Sequence, residues 1–199
     1  MTNDHSSRDF RQRLFQYRSY TPIPFLVVVL AFAQPTAQSV IVGAAMAIFG
    51  EVLRFWGVAY AGSLTRVTGN VGAPAVVMAG PFAFVRNPLY VGNMLLYIGI
   101  GVVSNALYPW LTITATVYFL AQYALIVSLE EEFLEREFGA GYLEYRKNVP
   151  RFIPRLIPYA TPLQAEQLPK WSDALKSERR TLQAIALVGV ALWVRGAAW

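Results

Sequence analysis

The sequence predicts an all-α protein: a polytopic transmembrane helical bundle of about five membrane segments with a cytoplasmic helical C-terminal cap. Three observations carry that expectation. Of the 199 residues 55% are apolar and only 15% charged, where a soluble domain usually carries about 25% charge. The apolar residues come in long blocks instead of alternating with polar ones, and the basic residues gather between particular blocks. The chain divides on this reading into a cytoplasmic tail (1–20), a membrane domain (21–158), a cytoplasmic linker (159–180) and a C-terminal membrane-associated or transmembrane helix (181–199).

The first 20 residues are polar and rich in Arg and Ser, and no small-residue cleavage pattern follows, so they read as a retained tail and not as a signal peptide. Residues 23–33 form an apolar block that follows Pro22 and contains Pro24; it is short of the roughly 20 residues a span requires. Residues 40–61 are long enough to cross a core of about 30 Å at about 1.5 Å per residue. Blocks 89–106 and 110–129, joined by a turn holding Asn105 and Pro109, read as a tight helical hairpin. Residues 160–176 mix proline with both charges, as a loop or short surface helix does. Residues 181–199 are apolar but short and end on an arginine and a tryptophan, which suits a fifth span, a re-entrant helix or an interfacial one.

Sidedness follows from the basic residues, which are in excess in cytoplasmic loops. Arg8, Arg11, Arg13 and Arg18 precede the first block, Arg66 and Arg86 lie between the second and third, and nine more lie between 136 and 180. Segments 34–39 and 105–109 hold none, so they are placed outside and both ends of the four-span unit in the cytoplasm. The chain has no cysteine, and its one histidine, His5, sits in the polar tail. Thiol chemistry is therefore excluded, and a metal site or a histidine-based triad is not expected.

Three places hold polar groups that solvation explains poorly. Residues 80–90 lead into the third span, and Asn87-Pro88 has the chemistry of a helix start, with Asn at the N-cap and Pro in the first turn. Such a start beside Arg86 can hold an anion; on local physics alone a capped span with one snorkelling arginine explains it as well. Glu130-Glu131-Glu132 ends the fourth span, where the helix dipole disfavours carboxylates, so the run needs a cation or is a solvated acidic patch. A zwitterionic amino-acid-like ligand suits an anion site facing acids. In the second span, Glu51 and Arg54 lie at i, i+3, flanked by Gly50 and Gly57; charge at membrane depth usually faces a pocket. Residues 138–154 interleave aromatic and basic side chains, but beside a membrane these contact lipid headgroups more simply than nucleic acid, which is not expected as a partner.

The ordered set Gly80-Pro81-Phe82, Arg86-Asn87-Pro88-Leu89-Tyr90-Val91-Gly92, a span hairpin, Glu130-Glu131, Leu134, Phe138-Gly139, Tyr142, Tyr145 and Val149-Pro150-Arg151 resembles the isoprenylcysteine carboxyl methyltransferase and phospholipid methyltransferase superfamily. The likeness covers roughly 50–154. It implies an S-adenosylmethionine-dependent methyltransferase in the membrane, with its site facing the cytoplasm and membrane lipids or a lipophilic acceptor as substrate. It places the cofactor against Pro74, Ala75, Val76, Val77, Phe82, Arg86, Asn87, Pro88, Leu89 and Tyr90, with Glu130 and Glu131 at its polar end. Glu51, Arg54 and Glu131 are the catalytic candidates, and no metal is required. The prenylcysteine branch has His where Asn87 stands and Arg where Ile126 stands; Asn87 resembles the phospholipid branch, so a phospholipid amine is expected in preference to a prenylcysteine carboxylate. Two rivals stand beside this reading: an NADPH-dependent membrane reductase of the steroid-reductase type, whose cofactor phosphates call for more than Arg54, Arg66 and Arg86, and a non-catalytic membrane interaction protein.

Overall fold

A computed structural model describes residues 2–62 and 75–197, with side chains from 10 to 62 and from 75 to 196; Arg66 and the expected cofactor contact Pro74 lie outside the described residues. The described residues are all helical or irregular, with no strand. The helices are α1 (Thr2–Tyr17), α2 (Pro22–Ala31), α3 (Ala37–Ala61), α4 (Pro88–Ser104), α5 (Trp110–Asn148) and α6 (Trp171–Ala197), with 3-10 turns at Gly80–Ala83 and Pro162–Gln164.

Of the apolar blocks, α3 and α5 are long and apolar enough to cross a membrane, whereas α2 and α4 are shorter apolar helices of 10 and 17 residues. The outward faces are apolar: Ile41, Ile48, Phe49 and Val52 on α3 and Trp110 and Val117 on α5 are exposed, as lipid contact requires. With 39 residues, α5 is about 58 Å long at about 1.5 Å per residue. It therefore outruns the bilayer, and its second half carries the acidic and aromatic residues clear of the apolar part. Gly139, at φ 52° and ψ −126°, breaks it, a conformation open to glycine because it has no Cβ.

Local chemistry sets the ends of the helices. Thr36 and Ser39 form a reciprocal capping box at the start of α3, each side-chain oxygen accepting from the other's backbone N–H at 3.1 and 2.9 Å. Asn105 closes α4 in a left-handed conformation. α3 and α4 approach closely because glycines recur every seven residues on both: a Cβ at Gly50 would sit 2.6 Å from the Gly92 carbonyl oxygen, and one at Gly99 would sit 2.6 Å from the Ala47 nitrogen.

The bundle has two chemically distinct ends. At one, the loops without basic residues are tied together: the Gln34 N–H donates to the Ser104 carbonyl at 2.8 Å, and the Asn105 amide to the Gln34 carbonyl at 3.2 Å. At the other, segment 150–159 folds back on residues 83–86 through bonds from Arg86 N to Pro150 O, Arg155 N to Phe84 O and Tyr159 N to Ala83 O. Helix α6 begins at Trp171, inside the stretch read from sequence as a linker. Its first turns pack on α3, with Ala174 buried against Val58 and Ala59 and Trp171 stacked on Phe55 at 5.8 Å. Its far end reaches α2, where Leu192 packs with Val29 and Ala33 and Arg195 donates to the Ala31 carbonyl at 3.0 Å. α6 therefore runs the height of the bundle.

Candidate active site

The turn before α4 is built from both sides. The Gly80–Ala83 turn buries Pro81, Phe82 and Ala83, and the Tyr145 hydroxyl donates to the Phe82 carbonyl at 2.7 Å. Pro88 opens α4 and Asn87 takes the N-cap position, as its sequence predicts, but the Asn87 side chain makes no capping bond. Its amide donates instead to the Arg151 carbonyl at 3.2 Å. The expected side-chain cap is thus replaced by a long-range contact; Pro88 has no N–H and Val91 N–H donates to the Asn87 carbonyl at 3.2 Å, so the first-turn donors that a ligand could use are those of Leu89 and Tyr90.

The three glutamates go three ways, as about 100° of rotation per helical residue requires. Glu130 accepts from the Tyr90 hydroxyl at 2.8 Å. Glu131, 4% exposed, takes Arg86 Nε on one oxygen at 2.9 Å and Arg151 on the other. Glu132 faces outward and pairs with Arg11 of α1. Arg86 also donates to the carbonyls of Arg146 and Val149, so Glu131 and Arg86 lock α5, the turn before α4 and the strap after α5 together. Burial pushes the Tyr142 and Tyr145 hydroxyls far above the ordinary phenol range, so both stay protonated.

The Glu51 and Arg54 pair is present, with Nε and Oε2 3.2 Å apart, but the N–H is not aligned and the Glu51 oxygens are buried without a hydrogen-bond partner. Arg54 reaches further: it donates to Asn93 of α4 and, at 2.8 Å, to Glu178 of α6, which is 2% exposed. Two carboxylates therefore flank one guanidinium at the junction of three helices.

A single cavity of about 870 Å³ joins these groups. Ala75, Val76, Val77, Phe82, Arg86, Asn87, Pro88, Leu89, Tyr90, Glu130 and Glu131 all line it, so every described residue expected to hold the cofactor faces the same cavity. Of the catalytic candidates Arg54 and Glu131 line it, while Glu51 stands behind Arg54 and does not. The cavity continues along α4, α5 and α6 to apolar residues such as Ile100, Leu111, Ile185 and Val188. Its donor set fits S-adenosylmethionine: free helix N–H groups for a carboxylate, Glu130 for an ammonium, and apolar walls for the rest.

Comparison with known families decides the assignment. The family model described as phospholipid methyltransferase matches residues 38–141, more than half of the chain. The chain belongs to the phospholipid methyltransferase family. Among curated proteins it is similar to the cobalt-zinc-cadmium resistance protein CzcN of Cupriavidus metallidurans, 33% identical over 42% of this chain and 38% of that one. It is likewise similar to the protein-S-isoprenylcysteine O-methyltransferase of Xenopus laevis, 32% identical over 57% of this chain and 40% of that one. The nickel-cobalt-cadmium resistance protein NccN of Alcaligenes xylosoxydans xylosoxydans is 30% identical over 41% of this chain and 37% of that one. The chain thus spans about two fifths of the length of these relatives, and no solved structure matches it.

The phospholipid methyltransferase match covers α3, α4 and α5 as far as Gly141. Several residues that complete the site lie elsewhere or carry no local signal. Glu178 stands in a run of charges, Lys176-Ser177-Glu178-Arg179-Arg180, that reads as a solvated face. Asn93 is an unremarkable polar residue one turn into a span. Gln164 and Gln167 fall in the stretch read as a linker, yet both bond to segment 76–79, whose first two residues line the cavity.

Proposed function

We propose that the protein is an S-adenosylmethionine-dependent methyltransferase of the cytoplasmic membrane face that methylates a lipid amine. The observation that carries this reading is that the start of α4 and Glu130 of α5 face one cavity that continues into the apolar part of the bundle. When bound, S-adenosylmethionine supplies a sulfonium methyl that is already activated. The first-turn N–H groups of α4 hold its carboxylate, and Glu130 holds its ammonium. Glu131 keeps Arg86 and the strap in register around both. The remaining work of the chain is alignment and exclusion of water.

An amine acceptor must lose a proton before it attacks. Tyr142 and Tyr145 cannot take it, because burial holds both hydroxyls protonated. The carboxylates that line the cavity are Glu130, which accepts from Tyr90, and Glu131 and Glu178, which are paired with arginines. The acceptor class follows from the cations. A buried carboxylate substrate needs a guanidinium of its own, but Arg54 is flanked by Glu51 and Glu178. Ile126, where the prenylcysteine branch has Arg, is fully buried in an apolar cluster with Phe15, Phe119 and Tyr123. Arg18 and Arg180, which also line the cavity, suit the phosphate of a phospholipid headgroup.

The test is to incubate purified protein with methyl-labelled S-adenosylmethionine and, separately, with phosphatidylethanolamine or a farnesylcysteine analogue. Label is expected in the phospholipid. Transfer to farnesylcysteine alone, abolished by Arg54→Ala, would show that Arg54 serves a carboxylate and that the amine assignment is wrong.

A further inference from the structure

Residues 76–79 run from the cavity lining at Val76 and Val77 to the turn at Gly80 without belonging to any helix, so their backbone groups need partners from elsewhere. Two glutamine side chains supply them. Gln167 Oε1 accepts from Met78 N at 2.8 Å and from Ala79 N at 3.0 Å, while its Nε2 donates to Val76 O at 2.9 Å. Gln164 Nε2 donates to Met78 O at 2.7 Å, and its Oε1 is held by Thr161 N at 3.0 Å. The connection that carries both is itself anchored to α3 by the bond from Lys170 N to Ala59 O at 2.7 Å.

This arrangement does the work of a neighbouring β-strand with one side chain. A primary amide suits this task because its oxygen accepts two N–H groups while its separate nitrogen donates to a carbonyl. Val76 and Val77 face the cavity, so the position of their backbone, and with it the width of the cavity at the cofactor end, is set from a segment 86 to 91 residues further along the chain. We propose that Gln167 is a positioning residue for the cofactor: it fixes the 76–79 wall, so the segment after α5 determines cofactor affinity. This rests on the functional reading above.

The experiment uses the full chain in detergent micelles and compares wild type, Gln167→Leu and Gln167→Glu. S-adenosylhomocysteine affinity is read by calorimetry, exchange of the Met78 and Ala79 amides by hydrogen–deuterium exchange, and the acceptor KM by methyl transfer. Gln167→Leu is expected to weaken S-adenosylhomocysteine about tenfold or more, to speed exchange at both amides and to leave the acceptor KM unchanged. Gln167→Glu keeps the acceptor for both N–H groups but sets a carboxylate oxygen against the Val76 carbonyl in place of the donor, so it is expected to recover part of the affinity. Unchanged affinity with faster exchange would overturn the proposal, as would unchanged exchange or a shift confined to the acceptor KM. If Gln167→Leu does not fold, Gln167→Glu decides: affinity equal to wild type overturns the proposal, and an intermediate loss supports it. Wild-type protein that binds no S-adenosylhomocysteine would refute the functional reading itself, while the exchange data would still report whether Gln167 holds the wall.

Discussion

Glu131→Ala is expected to abolish S-adenosylhomocysteine binding and methyl transfer, while Glu132→Ala leaves both near wild type. The two glutamates are neighbours in sequence and differ only in what they face. Glu131 is buried between Arg86 and Arg151, and its side chain is 6% exposed against 10% for that of Arg86. Removing its carboxylate leaves a buried guanidinium with backbone carbonyls alone, a change of the kind that costs about 3–5 kcal/mol. That is enough to move the turn before α4 away from α5 and to lower affinity by about a hundredfold or more. Glu132 pairs with Arg11 on a half-exposed surface, where such bridges contribute about 1 kcal/mol or less. Calorimetric titration of both variants checks the contrast, and equal effects would show that the Arg86 lock is not what shapes the site.

Arg54→Leu is expected to be the most destabilising substitution in the molecule, exceeding Glu178→Leu. Arg54 pairs with both Glu51 and Glu178, and without it two buried carboxylates lose the guanidinium between them. Removing Glu178 instead leaves Arg54 beside Glu51, a one-to-one pair. Breaking a buried pair costs about 3–5 kcal/mol, whereas replacing the whole group by apolar residues is often neutral. The combined variant Glu51→Leu, Arg54→Leu and Glu178→Leu should therefore melt well above Arg54→Leu alone. Thermal unfolding in micelles gives the order; an Arg54→Leu protein as stable as Glu178→Leu would contradict it.

What could be read from the sequence is what local chemistry decides. The Asn87-Pro88 helix start, the glutamate run and the Glu51 and Arg54 spacing are short patterns whose physical needs are visible without a fold, and all of them but Glu51 and Glu132 line the cavity. The span of α3 followed from its apolar block in the same way, whereas α5 runs to Asn148, well past the end of its apolar block at 129. What could not be read depends on contacts far apart in the chain. Asn87 gives up its cap for Arg151, 64 residues away. Glu178 looks solvated until α6 is seen to start at Trp171 and turn that face onto α3. Gln164 and Gln167 carry no charge or periodicity to mark them, and only the wall they hold gives them a role.

The central claim is that this cavity holds S-adenosylmethionine, and titration of the purified wild-type protein in micelles tests it most directly, with S-adenosylhomocysteine and NADPH as the two ligands. Saturable binding of S-adenosylhomocysteine, one molecule per chain, and no binding of NADPH are expected. Binding of NADPH without S-adenosylhomocysteine would contradict the claim in favour of a reductase, and binding of neither would leave a membrane interaction protein.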